Sequence, residues 1–134
     1  MADKFKLNII SPEKKFLEGD CEFLEFVSTE GELGIYAKHI PLTTILEPGV
    51  LRIKTDGNVR EAALHDGFVQ IQKDKVTVLA ESCEWPDEID ANRARKAKER
   101  AERRLTSGSK EVDMVRAELA LKKALIRIDL AGKH

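Results

Sequence analysis

The sequence predicts an antiparallel β-sandwich followed by an α-helical hairpin, and three observations carry that expectation. All seven aromatic residues and six of the eight glycines lie at or before Trp85. Short β-rich runs, broken by turn chemistry about every ten residues, fill this first part with no helical period between them. After Pro86 no glycine occurs until Gly108, and Ala, Arg, Lys and Glu, all strong helix formers, dominate.

Taken in order, Phe5, Leu7 and Ile9 alternate with Lys6 and Asn8, and Ser11-Pro12-Glu13 turns the chain. Phe16-Leu17 runs into Gly19-Asp20, and residues 21–27 are apolar and β-rich. Gly31 and Gly34, Pro48-Gly49, Asp56-Gly57, Asp66-Gly67 and Lys73-Asp74 then punctuate runs at 50–54, 59–64, 68–72 and 76–80. Asp56-Gly57-Asn58 is a hairpin signal. Asp90 is placed to cap a first helix, on which Ala91, Ala94, Ala97, Ala101 and Leu105 form a stripe of small residues that lets another helix approach closely. Thr106-Ser107-Gly108-Ser109 breaks the pattern, and a second helix is expected over about 111–130. Met114, Ala117, Leu121, Ala124, Leu125 and Ile128 make one apolar stripe on it, and Val112, Val115, Leu119 and Ile126 make another. That is more apolar surface than the first helix can cover, which marks the hairpin as a candidate two-state element.

The boundary is therefore set at residue 86, with a β-domain over 1–86 and a helical hairpin over 87–134. Charge divides with it. Residues 1–87 carry ten Lys and Arg against sixteen Asp and Glu, net −6, whereas from Glu88 onward thirteen stand against eight, net +5. A basic appendage on an acidic module points to an anionic partner at the C-terminal end and argues against bulk nucleic-acid binding. Cys21 and Cys83 are too few and too widely spaced for a zinc or redox motif, and with no secretory signal a reducing cytosol is the expected compartment. No apolar run reaches the roughly 18 residues of a membrane span, so direct membrane insertion is not expected.

Catalysis finds little support. His39, His65 and His134 are scattered, and no GxSxG, HExxH, phosphate-loop or metal-ligand spacing occurs, so neither an enzyme nor a metal protein is expected. The loop Glu30-Gly31-Glu32-Leu33-Gly34-Ile35 with His39-Ile40-Pro41-Leu42 can hold Glu32 and His39 out to a partner, or can be a tight strand connection. Arg93 and Arg100 are seven residues apart and nearly in line, with Lys96, Arg103 and Arg104 nearby; Arg116, Lys123 and Arg127 form a second basic row. Two such rows can bind a triphosphate, with Asp90 or Glu84 accepting from a base or sugar, or can meet an acidic helix of another protein. The plainer alternative is a solvated face partly neutralised by Glu99 and Glu102.

These residues together resemble the epsilon subunit of bacterial F-type ATP synthases along the full chain. The matching pieces are Gly31-Glu32-Leu33-Gly34-Ile35, His39-Ile40-Pro41-Leu42, Asp66-Gly67-Phe68-Val69, Val76-Thr77-Val78-Leu79-Ala80, Ile89-Asp90-Ala91-Asn92-Arg93-Ala94, 98–105 and 116–121. The resemblance implies a sandwich of about ten strands bound to the gamma subunit and to the c-subunit rotor ring, the latter through the Glu32 and His39 loop. It implies a non-catalytic central-stalk subunit, peripheral on the cytoplasmic face of the membrane, that couples the catalytic head to the proton- or sodium-driven rotor. Its mobile hairpin would inhibit ATP hydrolysis through basic residues that meet the alpha and beta subunits. ATP is implied as a regulatory ligand held by Glu84, Ile89, Asp90, Arg93, Ala94, Arg100, Lys123 and Arg127. At Lys123 the pattern tends to have arginine; lysine keeps the charge and loses the two-pronged fork. The alternative from another class is a stand-alone nucleotide-sensing module.

Overall fold

A computed structural model describes residues 3–37, 41–107 and 111–133. The chain divides into two compact units, Met1–Glu84 and Trp85–His134. The first holds eight strands: β1 Phe5–Ile10, β2 Lys15–Cys21, β3 Phe23–Ser28, β4 Gly31–Tyr36, β5 Leu42–Leu46, β6 Gly49–Thr55, β7 Asn58–Ile71 and β8 Lys75–Glu84. Their ladder runs β2-β1-β8-β7-β5-β3-β4, with β6 paired to both β7 and β3, so the sheet folds over on itself as a sandwich.

Period-two alternation fills its core. Leu7 and Ile9 of β1, Leu24 and Phe26 of β3, Leu51 and Ile53 of β6, Val69 and Ile71 of β7, and Val76 and Val78 of β8 are all buried. Each such side chain contributes about 1.5–3 kcal/mol. Between β6 and β7 the pair Thr55↔Asn58 closes a two-residue turn with Asp56 at φ 51° and Gly57 at φ 80°, the hairpin expected there.

The architecture is the one expected, with three differences. Asp66-Gly67 does not end a strand: both residues take positive φ, 50° and 142°, and β7 bends there and continues, pairing with β6 before the bend and with β5 beyond it. That fusion is one reason why eight strands stand among the described residues where about ten were expected. The sheet is also not wholly antiparallel, because β1 and β8 run parallel from Lys6↔Lys75 to Ile10↔Leu79.

The second unit opens with a 3₁₀ turn, Pro86–Glu88, closed by reciprocal bonds: the Trp85 N–H donates to Glu88 Oε1 at 2.9 Å and the Glu88 N–H to the Trp85 carbonyl at 3.0 Å. α1 spans Ala91–Thr106 and α2 Glu111–Lys133. They pack against each other across a four-residue connection, which makes the pair antiparallel, and Ala94, Ala101, Ala117 and Ala124 are buried. In the second stripe on α2, Val115 is 60% and Leu119 40% exposed, while Ile126 is half-buried. Leu125, expected in the covered stripe, is 45% exposed, because it stands at that stripe's margin. Among the described residues no helix is long and apolar enough to cross a membrane.

Candidate functional site

The nucleotide-site candidates fall in both units. Glu84 is the last residue of β8, paired with Ala63 of β7. The other seven belong to the helical unit. Ile89 is half-buried, and Asp90 caps α1, its Oδ1 accepting from the Arg93 N–H at 3.1 Å and its carbonyl from the Ala94 N–H at 3.0 Å. One Asp90 oxygen is thus committed to the helix itself. Ala94 is buried, so it can shape a site and cannot touch a ligand without displacement.

Arg93 and Arg100 are exposed and make no ion pair among the described residues. Seven residues of helix separate them by about 10.5 Å. Glu99 and Glu102 do not neutralise them: neither carboxylate is ion-paired among the described residues, and Arg103 Nε donates instead to the Glu99 backbone carbonyl at 3.4 Å. On α2, Lys123 and Arg127 are half-buried. Relative to the alanine seam, Arg93 and Arg100 lie about 100° to one side of α1, and Arg116, Lys123 and Arg127 lie about 100° to the same-handed side of α2. In an antiparallel pair these coincide, so both basic rows share one flank of the hairpin. An anion with several charges can be met there from two helices.

Glu32 is exposed on β4, beyond a turn in which Ser28 Oγ donates to the Gly31 carbonyl at 2.9 Å and accepts from the Glu30 N–H at 3.1 Å. Gly31, at φ 116°, is required by that turn. Gly34 serves differently: a β-carbon there would stand 2.7 Å from the Phe23 ring, so the glycine lets that ring lie across β4. His39 lies outside the described residues.

Sequence reasoning missed one surface. On the outer face of the β5-β7-β8-β1 layer, Ile45 pairs with Phe68, Phe68 with Leu79, and Leu79 with Ile10, so four apolar side chains stand in one row. Ile45 is 61% and Phe68 40% exposed. By alternation Glu47, Asp66 and Glu81 border the row on one side. The signal was present in Ile9-Ile10, Phe68-Val69 and Val78-Leu79: of two adjacent apolar residues in a strand, one must face outward.

The chain matches two family descriptions, "ATP synthase, Delta/Epsilon chain, beta-sandwich domain" over residues 4–86 and "ATP synthase, Delta/Epsilon chain, long alpha-helix domain" over residues 87–132. It is 44% identical to the ATP synthase epsilon chain of Caldanaerobacter subterraneus subsp. tengcongensis, covering 100% of this chain and 98% of that one. Against the epsilon chain of Halalkalibacterium halodurans it is 45% identical, covering 95% and 96%. Among solved structures, a chain of the Euglena gracilis mitochondrial ATP synthase superposes with TM-score 0.83 at 22% identity, covering 98% of this chain and 82% of that one. A chain of the Tetrahymena thermophila mitochondrial ATP synthase central stalk and c-ring gives 0.68 at 14% identity, covering 97% and 98%. At such identities the two structures bear on the fold alone.

Proposed function

Since the chain belongs to the ATP synthase delta/epsilon chain family and is a non-catalytic subunit of that complex, we propose that it works in the central stalk as a coupling and inhibitory element. The sandwich binds the gamma subunit and, through the loop bearing Glu32 and His39, the c-subunit rotor ring. This places it peripherally at the cytoplasmic face of a bacterial membrane, held by protein contacts.

The observation that carries this reading is the outward apolar row Ile45–Phe68–Leu79–Ile10. A contiguous apolar row across four strands is costly to leave in water and is suited to a protein partner. Gamma is the partner proposed for it.

The hairpin is the inhibitory element, presenting its shared basic flank to the alpha and beta subunits. ATP is proposed as its regulatory ligand, held by Arg93, Arg100, Lys123 and Arg127 on the phosphates, with Glu84, Ile89, Asp90 and Ala94 around the base and sugar. Free ATP at about ten times its dissociation constant would favour the bound state by about 1.4 kcal/mol, roughly a tenfold shift in population. ATP shortage then releases the inhibitor.

The test is truncation before Asp87 in the assembled complex. ATP hydrolysis should rise, and an unchanged rate removes the inhibitory role. Calorimetry of the intact chain with ATP should give heat that Arg93→Ala abolishes; no heat from wild type ends the nucleotide claim without touching the stalk assignment.

A further inference from the structure

The opposite outer face of the sandwich, on the β4-β3-β6-β7 layer, carries a feature that the stalk reading does not use. Tyr36, Phe23, Lys54 and Val59 are successive cross-strand partners, and with Glu22 and Arg52 they line a cleft of about 370 Å³. Its floor is aromatic. The Phe23 ring lies over Gly34 and meets the Tyr36 ring with centroids 4.5 Å apart and planes tilted by 35°. Tyr36 is 66% exposed and Val59 58%, which is far more than packing within the sheet requires.

The charged groups around the cleft are engaged, with one exception. Arg52 Nη1 donates to Glu25 at 2.8 Å and its Nε to Glu61 at 3.1 Å. Glu22 Oε1 accepts from the Asp56 N–H at 2.9 Å, which turns that carboxylate toward the β6–β7 turn. The Lys54 ammonium has no ion pair or side-chain hydrogen bond among the described residues. It stands in the row between Phe23 and Val59, and its methylene stem continues their apolar surface while its head remains to be matched.

We propose that this cleft seats an acidic segment of a partner chain, with an aromatic or branched aliphatic side chain on Phe23 and Tyr36 and an adjacent carboxylate on Lys54 Nζ. A protein segment fits better than a free metabolite, because three inter-strand steps make the row about 14 Å long and a sheet face cannot enclose a small molecule. The face is distinct from the apolar row assigned to gamma, so the two assignments stand or fall separately.

The experiment uses the intact, isotope-labelled chain and follows backbone amide NMR shifts on titration with acetyl-Phe-Glu-amide, acetyl-Phe-Lys-amide and acetyl-Ala-Glu-amide. Saturable shifts centred on Phe23, Tyr36 and Lys54 are expected with the first, and affinity about tenfold lower with the other two, the scale of one lost charge-assisted contact or one lost anchor. Lys54→Glu should reverse the preference toward acetyl-Phe-Lys-amide, and Tyr36→Ala should weaken both. Both positions are exposed, so the remaining spectrum should hold and confirm folding. Equal binding of the acidic and basic peptides, or shifts lying outside the cleft, would overturn the proposal. So would 3-phenylpropionate binding as tightly as the peptide, which marks a metabolite site, or concentration-dependent shifts without any peptide, which mark a second copy.

Discussion

Gly67 of β7 lies so close to Leu79 of β8 that a β-carbon built on it would stand 1.9 Å from the Leu79 carbonyl oxygen. Backbone opposes backbone there, and the positive φ of 142° adds strain for any other residue. The same bend lets one continuous strand serve β6 on one side and β5 on the other.

Gly67→Ala should therefore destabilise the sandwich by about 3 kcal/mol or more, read as a fall in the urea midpoint with unchanged slope. Gly34→Ala should cost less, because the obstacle is the Phe23 ring, which can swing outward. Equal losses at the two glycines would contradict this account.

Arg52 ties three strands together through Glu25 and Glu61, and these hydrogen bonds and charges raise its already high pKa. Arg52→Met should cost about 1 kcal/mol, the side chain being 42% exposed and partly screened. Arg52→Lys should recover only part of this, since an ammonium cannot reproduce the fork. High salt should narrow the gap between wild type and Arg52→Met in thermal unfolding.

Burial holds the Cys21 thiol above its ordinary value of 9.0, outweighing the lowering effect of the neighbouring Phe23 and Lys54 backbone. A folded-state value above the unfolded one means that the contribution is complete below the unfolded value and is lost as pH rises through the folded one. Stability should thus decline from about pH 9 upward, and Cys21→Ala should show a shallower alkaline decline in urea titrations. Identical slopes would assign the decline to other groups.

Asp90 caps α1 through the Arg93 N–H, so Asp90→Ala should cost about 1 kcal/mol of helix stability while Asp90→Asn retains most of it. Far-UV circular dichroism during heating measures both. If ATP contacts Asp90 as well, nucleotide affinity should fall further in Asp90→Asn than its helical signal does.

Much of the candidate site was legible because its rules are short-ranged. The cap at Asp90, the small-residue stripe of each helix and each basic row follow from helical spacing alone, because successive members within one helix stand only three to seven residues apart. The row Ile45–Phe68–Leu79–Ile10 was not legible in the same way. Its members span four strands whose pairing is chosen by the whole core, and no local window contains more than one of them.

The sequence by itself determined the kinds of element, the Asp56-Gly57 hairpin, the helix start and the charge division, because backbone torsions and side-chain periodicity act over a few residues. Tertiary structure alone decided that β7 passes unbroken through Asp66-Gly67, that β1 runs parallel to β8, and that Arg52 sits between Glu25 and Glu61. Those outcomes depend on register between distant segments, and register is fixed only when buried faces close on each other and every outward residue acquires its neighbours.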